Sequence, residues 1–298
     1  MMHRPFKIAL LAITIISSNA FAADVPDAGR LLRESSPPPS LKPQIELPII
    51  TKPPEKQEPV PSGPKVKVSG FVFVGNTVLS SEVLSAALDR YIGKDLTLAE
   101  LDDAAAQITS AYRARGYFLA SAHIPPQTIK PDAPIRIEII EGLLEGVRLQ
   151  TTPAETRTPH TLLQRYIERV PVGRPAEEGA LSEMVMRINE LPGISSRILL
   201  EPGSVLGTTK ALLDVKEGIP YGFSIDTDNH GSYSTGYYRI GYSLELYSPL
   251  HMGDLFTLRM QPSFSNNSQT VQTGYSLPVS TIGTKLGFNY SYVTYKLG

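Results

Sequence analysis

TGYYRIGYSLELYSPLHMGD, residues 235–254, is too polar to cross a membrane as a helix and too regularly patterned to be a loop. With a period of two, one set is Tyr238, Ile240, Tyr242, Leu244 and Leu246, and the interleaved set is Tyr237, Arg239, Gly241, Ser243 and Glu245. Successive side chains of a strand point to opposite sides, so this strand has an oily face and a wet face. The fold turns on whether the oil meets protein core or lipid.

The same alternation runs through everything after Gly218. Tyr221, Phe223 and Ile225 oppose Gly222, Ser224 and Asp226. Phe256, Leu258 and Met260 oppose Leu255, Thr257, Arg259 and Gln261; Val271, Thr273, Tyr275 and Leu277 oppose Gln272, Gly274 and Ser276; Leu286, Phe288, Tyr290 and Tyr292 oppose Lys285, Gly287, Asn289 and Ser291. That makes five consecutive amphipathic strands. A soluble sandwich alternates in the same way, so alternation alone leaves core and lipid both open. Two details select lipid: the strands are about nine to eleven residues long, the length of a tilted bilayer crossing, and tyrosines gather near strand ends as in an interfacial girdle.

The N-terminus agrees with export. MMHRPFK carries Arg4 and Lys7, IALLAITII is a short apolar run, and SSNAFA places Ala20 and Ala22 around Phe21. This is the pattern of a secretory signal peptide, cleaved between Ala22 and Ala23. The following stretch, 23–65, holds 11 prolines in 43 residues. It reads as a semi-rigid extended linker, with room for one short helix in DAGRLLRESS.

Between linker and strands lie two similar units. The first opens with a strand in KVSGFVFVGNTVLS, then a helix capped by Ser80 or Ser81 with the stripe Val83, Leu84, Ala87, Leu88 and Tyr91, stopped by Gly93. TLAE starts a second helix with a capping box of Thr97 and Glu100; Leu98, Leu101, Ala105, Ile108 and Tyr112 step along one face to Gly116. FLASAHI and PIRIEIIEG supply two strands, and Tyr117 and Phe118 are assigned to this unit's core. The second unit repeats the order through LEGVRLQ, a helix with Thr158 as cap and Pro159 as first residue, a helix bearing Leu181, Val185 and Ile188, and the strands SSRILLE and TKALLDVKEG. Gly116 matches Gly193 and Glu141-Gly142 matches Glu217-Gly218, a period of 76 to 77 residues.

The predicted fold class is α+β then all-β: two tandem β-α-α-β-β units followed by the first five or so antiparallel strands of an outer-membrane β-barrel. The boundaries are 1–22, 23–65, 66–142, 143–218 and 219–298.

Composition narrows the function. The 298 residues carry a formal net charge of -1 with no concentrated basic face, which argues against nucleic acid, and no cysteine. EPGSVLGTTK, residues 201–210, lacks the spacing of a phosphate-binding loop and reads as a hairpin connection. DTDNH, residues 226–230, reads as a solvated loop rather than a cation site. The histidines His3, His123, His160, His230 and His251 show no ligand spacing. The sequence therefore predicts no catalytic residues, no metal and no cofactor. Arg239, Glu245, Arg259 and Lys285 fall on the wet face and are the candidate pore-lining residues.

Certain segments together carry a family resemblance: PDAGRLLRE after the leader, VSGFVFVGNTVLS and RGYFLASAHIPPQ in the first unit, RINELPGIS in the second, and DNHGSYSTGYYRIGYSLELYSPLHMGD. The chain resembles the outer-membrane transporters of two-partner secretion, the haemolysin-activator type. The resemblance implies that the repeated units are periplasmic POTRA (polypeptide-transport-associated) domains and that residues 27–36 form a plug helix tethered by the linker. It also implies that the barrel exports a large partner polypeptide with an N-terminal secretion domain, such as a haemolysin, an adhesin or a contact-dependent toxin. Outer-membrane lipid is the second partner. Five strands do not close a barrel, so the same resemblance implies that residues 219–298 are its front part only. A POTRA pair working as a periplasmic binding or assembly module without its own pore fits the repeat as well.

Overall fold

The computed structural model describes residues 6–10, 65–128, 133–151, 156–231 and 236–296. The cleavage site Ala22–Ala23, the plug helix at 27–36 and the linker up to residue 64 lie outside them.

Strand β1 (Phe6–Leu10) belongs to the last sheet and is taken up below. The first unit opens with β2 (Val66–Lys67) and β3 (Phe71–Val74) rather than one continuous strand. β2 pairs with β4 (Asp95–Leu96), whereas β3 runs parallel to β6 (Ile135–Ile140). The break lies at Ser69–Gly70, where pairing changes partner: Val68 exchanges backbone hydrogen bonds with Gly93 and Lys94, and the Gly70 carbonyl accepts from Ile135. Pairing with the loop ahead of the second helix thus splits what the alternation joined.

Helix α1 (Ser81–Leu88) buries Leu84 and Leu88 and continues as one 3₁₀ turn, while Val83 stays exposed. Helix α2 (Leu98–Arg113) carries the expected capping box: the Thr97 amide donates to Glu100 Oε2 at 2.7 Å and the Glu100 amide to Thr97 Oγ1 at 3.4 Å. Leu101, Ala105, Ile108 and Tyr112 are buried, but Leu98, the first residue of the helix, is exposed. With β5 (Ser121–His123) the sheet order is β3-β6-β5. Each aliphatic side chain fully buried beneath it contributes about 1.5–3 kcal/mol.

The second unit repeats this topology. β7 (Leu143–Leu149), helices α3 (His160–Ile167) and α4 (Glu178–Asn189), and the hairpin of β8 (Ile194–Pro202) and β9 (Thr208–Glu217) form a sheet ordered β7-β9-β8. Residues 203–207 connect the hairpin, as expected for EPGSVLGTTK. Gly116 and Gly193, matched by the repeat, both follow a second helix with φ of 89° and 72°, the left-handed stop that glycine adopts at least cost.

The matched Glu-Gly pairs have a physical reason that the sequence did not disclose. The buried Glu141 carboxylate accepts from the amides of Thr77 (2.7 Å) and Val78 (2.9 Å), from the Thr77 hydroxyl and from Tyr112 Oη at 2.8 Å. In the second unit Glu217 accepts from the amides of Arg157 (2.5 Å) and Thr158 (3.1 Å) and from Thr158 Oγ1 at 2.7 Å. In both units a carboxylate at the end of the last strand pins the loop that enters the first helix. Thr158 therefore serves Glu217 instead of capping α3, whose N-cap is Pro159. Burial, together with the bond to Glu141, raises the pKa of the Tyr112 hydroxyl above its ordinary value, so it remains a donor.

The units touch closely. The Glu178 amide donates to the Gly116 carbonyl at 2.9 Å, and Phe118 and Leu119 pack against the second core. Tyr117 joins the first core as expected, but Phe118 crosses the junction.

The last sheet is ordered β1-β14-β13-β12-β11-β10, with β10 (Tyr221–Asp228), β11 (Arg239–Tyr247), β12 (Leu255–Pro262), β13 (Ser268–Pro278) and β14 (Lys285–Tyr295), all antiparallel. β1, where the basic start of the leader meets its apolar run, lies antiparallel along β14 with Phe6 opposite Tyr295. An unpaired strand edge presents a row of donors and acceptors to any extended segment within reach.

Replacing Glu141 with Ala leaves two amides and two hydroxyls without their acceptor. It is expected to destabilise the first unit by about 2–3 kcal/mol. Hydrogen exchange would show this as lost protection across residues 66–142 with 143–218 little changed; unchanged protection would remove the clasp from the account.

Candidate functional site: a two-faced sheet and its joint to the second unit

The register lines the five strands up in layers. Phe223, Leu244, Leu258, Thr273 and Tyr290 face one another across the sheet, as do Tyr221, Leu246, Phe256, Tyr275 and Phe288, and Ile225, Tyr242, Met260, Val271 and Tyr292. These are the outward residues: Phe223 is 62% exposed, Ile225 57% and Phe288 60%. An apolar face this continuous and this exposed has the chemistry of a hydrocarbon contact.

The opposite face holds charge, and holds it paired. Arg259 Nη1 and Nη2 donate to Asp226 Oδ1 and Oδ2, each at 2.8 Å, and Nη1 also to Ser243 Oγ at 2.8 Å. Arg239 Nε donates to Asp228 Oδ1 at 2.9 Å, and Gln261 Nε2 reaches Asp228 Oδ2 at 2.9 Å. Each acid sits on β10 and is reached from β12 across β11. Gly241 makes the crossing possible: a Cβ there would stand 2.7 Å from Arg259 Nη2 and 2.7 Å from both Asp226 carboxylate oxygens. Charge-assisted, bidentate bonds of this kind fix geometry as well as energy.

The structure thus places Arg239 and Arg259 in neighbouring paired clusters on one face and sets them apart from the other two candidates. Glu245 lies on the same face nearer the second unit, accepting from Tyr247 Oη at 2.8 Å. Lys285 Nζ donates to the Glu190 carbonyl at 3.1 Å and belongs to the joint. Asp226, which the alternation already places on the wet face, and Asp228, expected in a solvated loop, are both strand residues and the acceptors that organise this face. The signal was present as two acids in alternation on β10, opposite arginines of the same parity, but the partners lie 11 and 33 residues away in sequence.

At the other end, SPLHMGD folds as a rigid turn on the second unit. Asp254, fully buried, accepts from the amides of Leu250 (3.2 Å) and Met252 (3.1 Å) and from Tyr275 Oη (2.9 Å), while Ser248 Oγ accepts from the Gly253 amide at 3.1 Å. A Cβ on Gly253 would lie 3.0 Å from Leu162 Cδ2 and 3.5 Å from Leu191 Cδ2, so the turn is seated between α3 and the end of α4. Tyr247 stacks over Gly193 in the same joint.

With this geometry in hand, comparison with known proteins is direct. Residues 66–142 match the family model of the POTRA domain, ShlB-type, and residues 207–297 that of the haemolysin secretion/activation protein ShlB/FhaC/HecB. Together they take in more than half of the chain. The chain belongs to the family of two-partner secretion transporters. It is 25% identical over 294 residues to the heme/hemopexin transporter protein HuxB of Haemophilus influenzae, covering 95% of this chain and 51% of that protein. It is 24% identical to the outer membrane transporter CdiB of Dickeya dadantii over 84% of this chain and 44% of that protein. Among solved structures, CdiB from Escherichia coli superposes with a TM-score of 0.61 at 23% identity, covering 89% of this chain and 46% of that one. The chain spans about half the length of the curated relatives it matches. The fold is that of tandem POTRA-like units and part of a barrel sheet, and the place of such proteins is the outer membrane with the POTRA domains in the periplasm.

Valine at Gly241 would force the bidentate pair apart across β11. The expected loss is roughly 2–3 kcal/mol, seen as a lower temperature for the heat-induced band shift of the native protein. A shift temperature equal to that of the unaltered protein would deny the staple its structural role.

Proposed function

We propose that the chain is the periplasmic and first membrane portion of a transporter that exports one large partner polypeptide in unfolded form, with no chemical step of its own. The observation that carries this reading is the two-faced sheet: a continuous exposed apolar face, an opposite charged face on which Arg239 and Arg259 are buried, and two periplasmic units joined to one end of it. Arg239, Glu245, Arg259 and Lys285 are then read as bordering a hydrated passage. In this reading the two arginines act as braces of its wall through Asp226 and Asp228.

Capture of the client is assigned to an open sheet edge of the POTRA pair. Backbone pairing suits an unfolded client because main-chain hydrogen bonds are indifferent to its sequence. β8 offers the longest outer edge in the two POTRA sheets, nine residues beside α4. The Gly203 amide bonds to the Thr208 carbonyl, which sets the phase of the β8–β9 ladder and turns the backbone groups of Ser196, Ile198 and Leu200 away from β9. Those of Ser196 are already taken by the side chain of Asn189, whose Oδ1 accepts from the amide at 2.5 Å. Ile198 and Leu200 remain as the docking stretch. Folding of the client outside, rather than nucleotide hydrolysis, gives the export its direction.

Leu200→Pro removes one outward donor without touching the β8–β9 ladder, whereas Arg197→Pro breaks the ladder. The first is expected to lower export of the partner about five- to tenfold, the worth of a hydrogen bond of roughly 1 kcal/mol, while the protein remains folded in the membrane. Export unaffected by Leu200→Pro would remove β8 as the docking edge.

A further inference from the structure

The connections between strands on the side of the second unit are unusual in what they expose. They are 218–220, 248–254 and 279–284, and their large apolar residues are Ile219, Leu250, Met252, Val279 and Ile282. All five are 48–68% exposed. Two of them extend the outward layers beyond the sheet. The Val279 amide donates to the Thr284 carbonyl at 3.0 Å, so the β13–β14 ladder continues to Val279 and keeps it on the side of Leu277 and Leu286. The Tyr247 amide donates to the Pro220 carbonyl at 2.8 Å, which carries the β10–β11 ladder to the residue after Ile219, two positions from the outward Tyr221.

We infer that these five side chains form an apolar rim that enters the headgroup boundary of the periplasmic leaflet and holds the second POTRA unit against the membrane surface. The inference rests on the transporter reading above. The occupant is lipid because the rim is continuous with the bilayer-facing layers. An eleven-residue strand such as β14 already spans the hydrocarbon when tilted, so residues beyond its end fall at the acyl–headgroup boundary, where apolar side chains insert by about 5–10 Å. Rigidity makes the anchor useful. Leu250 and Met252 are displayed by the turn that Asp254 pins, and the same turn is seated on Leu162 and Leu191 through Gly253. Lipid contact at Leu250 and Met252 is thereby passed to the second unit without a flexible link.

The 298 residues contain no tryptophan, so a tryptophan introduced among them reports from a known place. Leu250→Trp, Ile282→Trp, Phe223→Trp and Leu206→Trp would each be introduced singly into the protein purified from outer membranes, with any tryptophan outside these 298 residues replaced by phenylalanine. Each would be reconstituted with phospholipid carrying a quencher near the headgroup or at the acyl terminus. Leu206, 94% exposed at the far end of the second unit, reports water; Phe223 reports the bilayer. Leu250→Trp and Ile282→Trp are expected to lose about half of their fluorescence to the shallow quencher and much less to the deep one, as an interfacial depth requires. If both behave like Leu206→Trp while Phe223→Trp is quenched, the rim is not in lipid and the inference falls alone. If Phe223→Trp is also unquenched, the membrane reading fails and takes the inference with it.

Discussion

Within hydrocarbon there is no water to satisfy a backbone amide or carbonyl, so each strand must be paired on both sides and each side chain must choose between lipid and interior. That constraint organises residues 219–296. The register of five strands delivers most outward positions to apolar layers and most inward ones to glycine, polar groups or paired charge, with Leu255 and Val293 as apolar exceptions on the inner side. A slip by one residue anywhere would exchange the two faces, turning arginine toward lipid. The Asp226–Arg259 pair, reaching over Gly241, and the directly opposed Asp228–Arg239 pair resist such a slip because they form at one register only.

The rest of the chain is built to present something to that sheet. Two units of one topology are clamped in the same way, each by a carboxylate closing on the loop that enters its first helix. They are joined to each other by Phe118 and by the bond from Glu178 to Gly116. A further joint at Gly193, Gly253 and Lys285 attaches the second unit to the sheet. The periplasmic part is therefore continuous with the barrel wall through packed contacts at each step.

Much of this was legible in the sequence because it depends on local periodicity. The five strands, the capping box at Thr97 and Glu100, and the matched glycines each write their reason within a few residues. What was not legible depends on partners far along the chain. Thr158 looks like a helix cap until Glu217, 59 residues later, takes its hydroxyl. Phe118 looks like core of its own unit, and Leu98 looks buried, because the pattern says which face is apolar but not which neighbour covers it. Asp228 looks like loop, and Asp226 like either loop or a merely wet strand position, because alternation weighs hydrophobicity and cannot see a guanidinium arriving from another strand. The equal spacing of the Glu-Gly pairs was visible, but its cause was not.

The central claim is that residues 219–296 form barrel wall in the outer membrane with residues 66–218 attached in the periplasm. Its most direct test is electrophoresis of purified outer membranes with and without boiling, the protein being followed by an antibody to residues 66–218. The account predicts a membrane-bound species whose mobility changes on boiling, as a closed barrel resists detergent until heated. A protein found only in the soluble periplasm, or one whose mobility is the same before and after boiling, would contradict it.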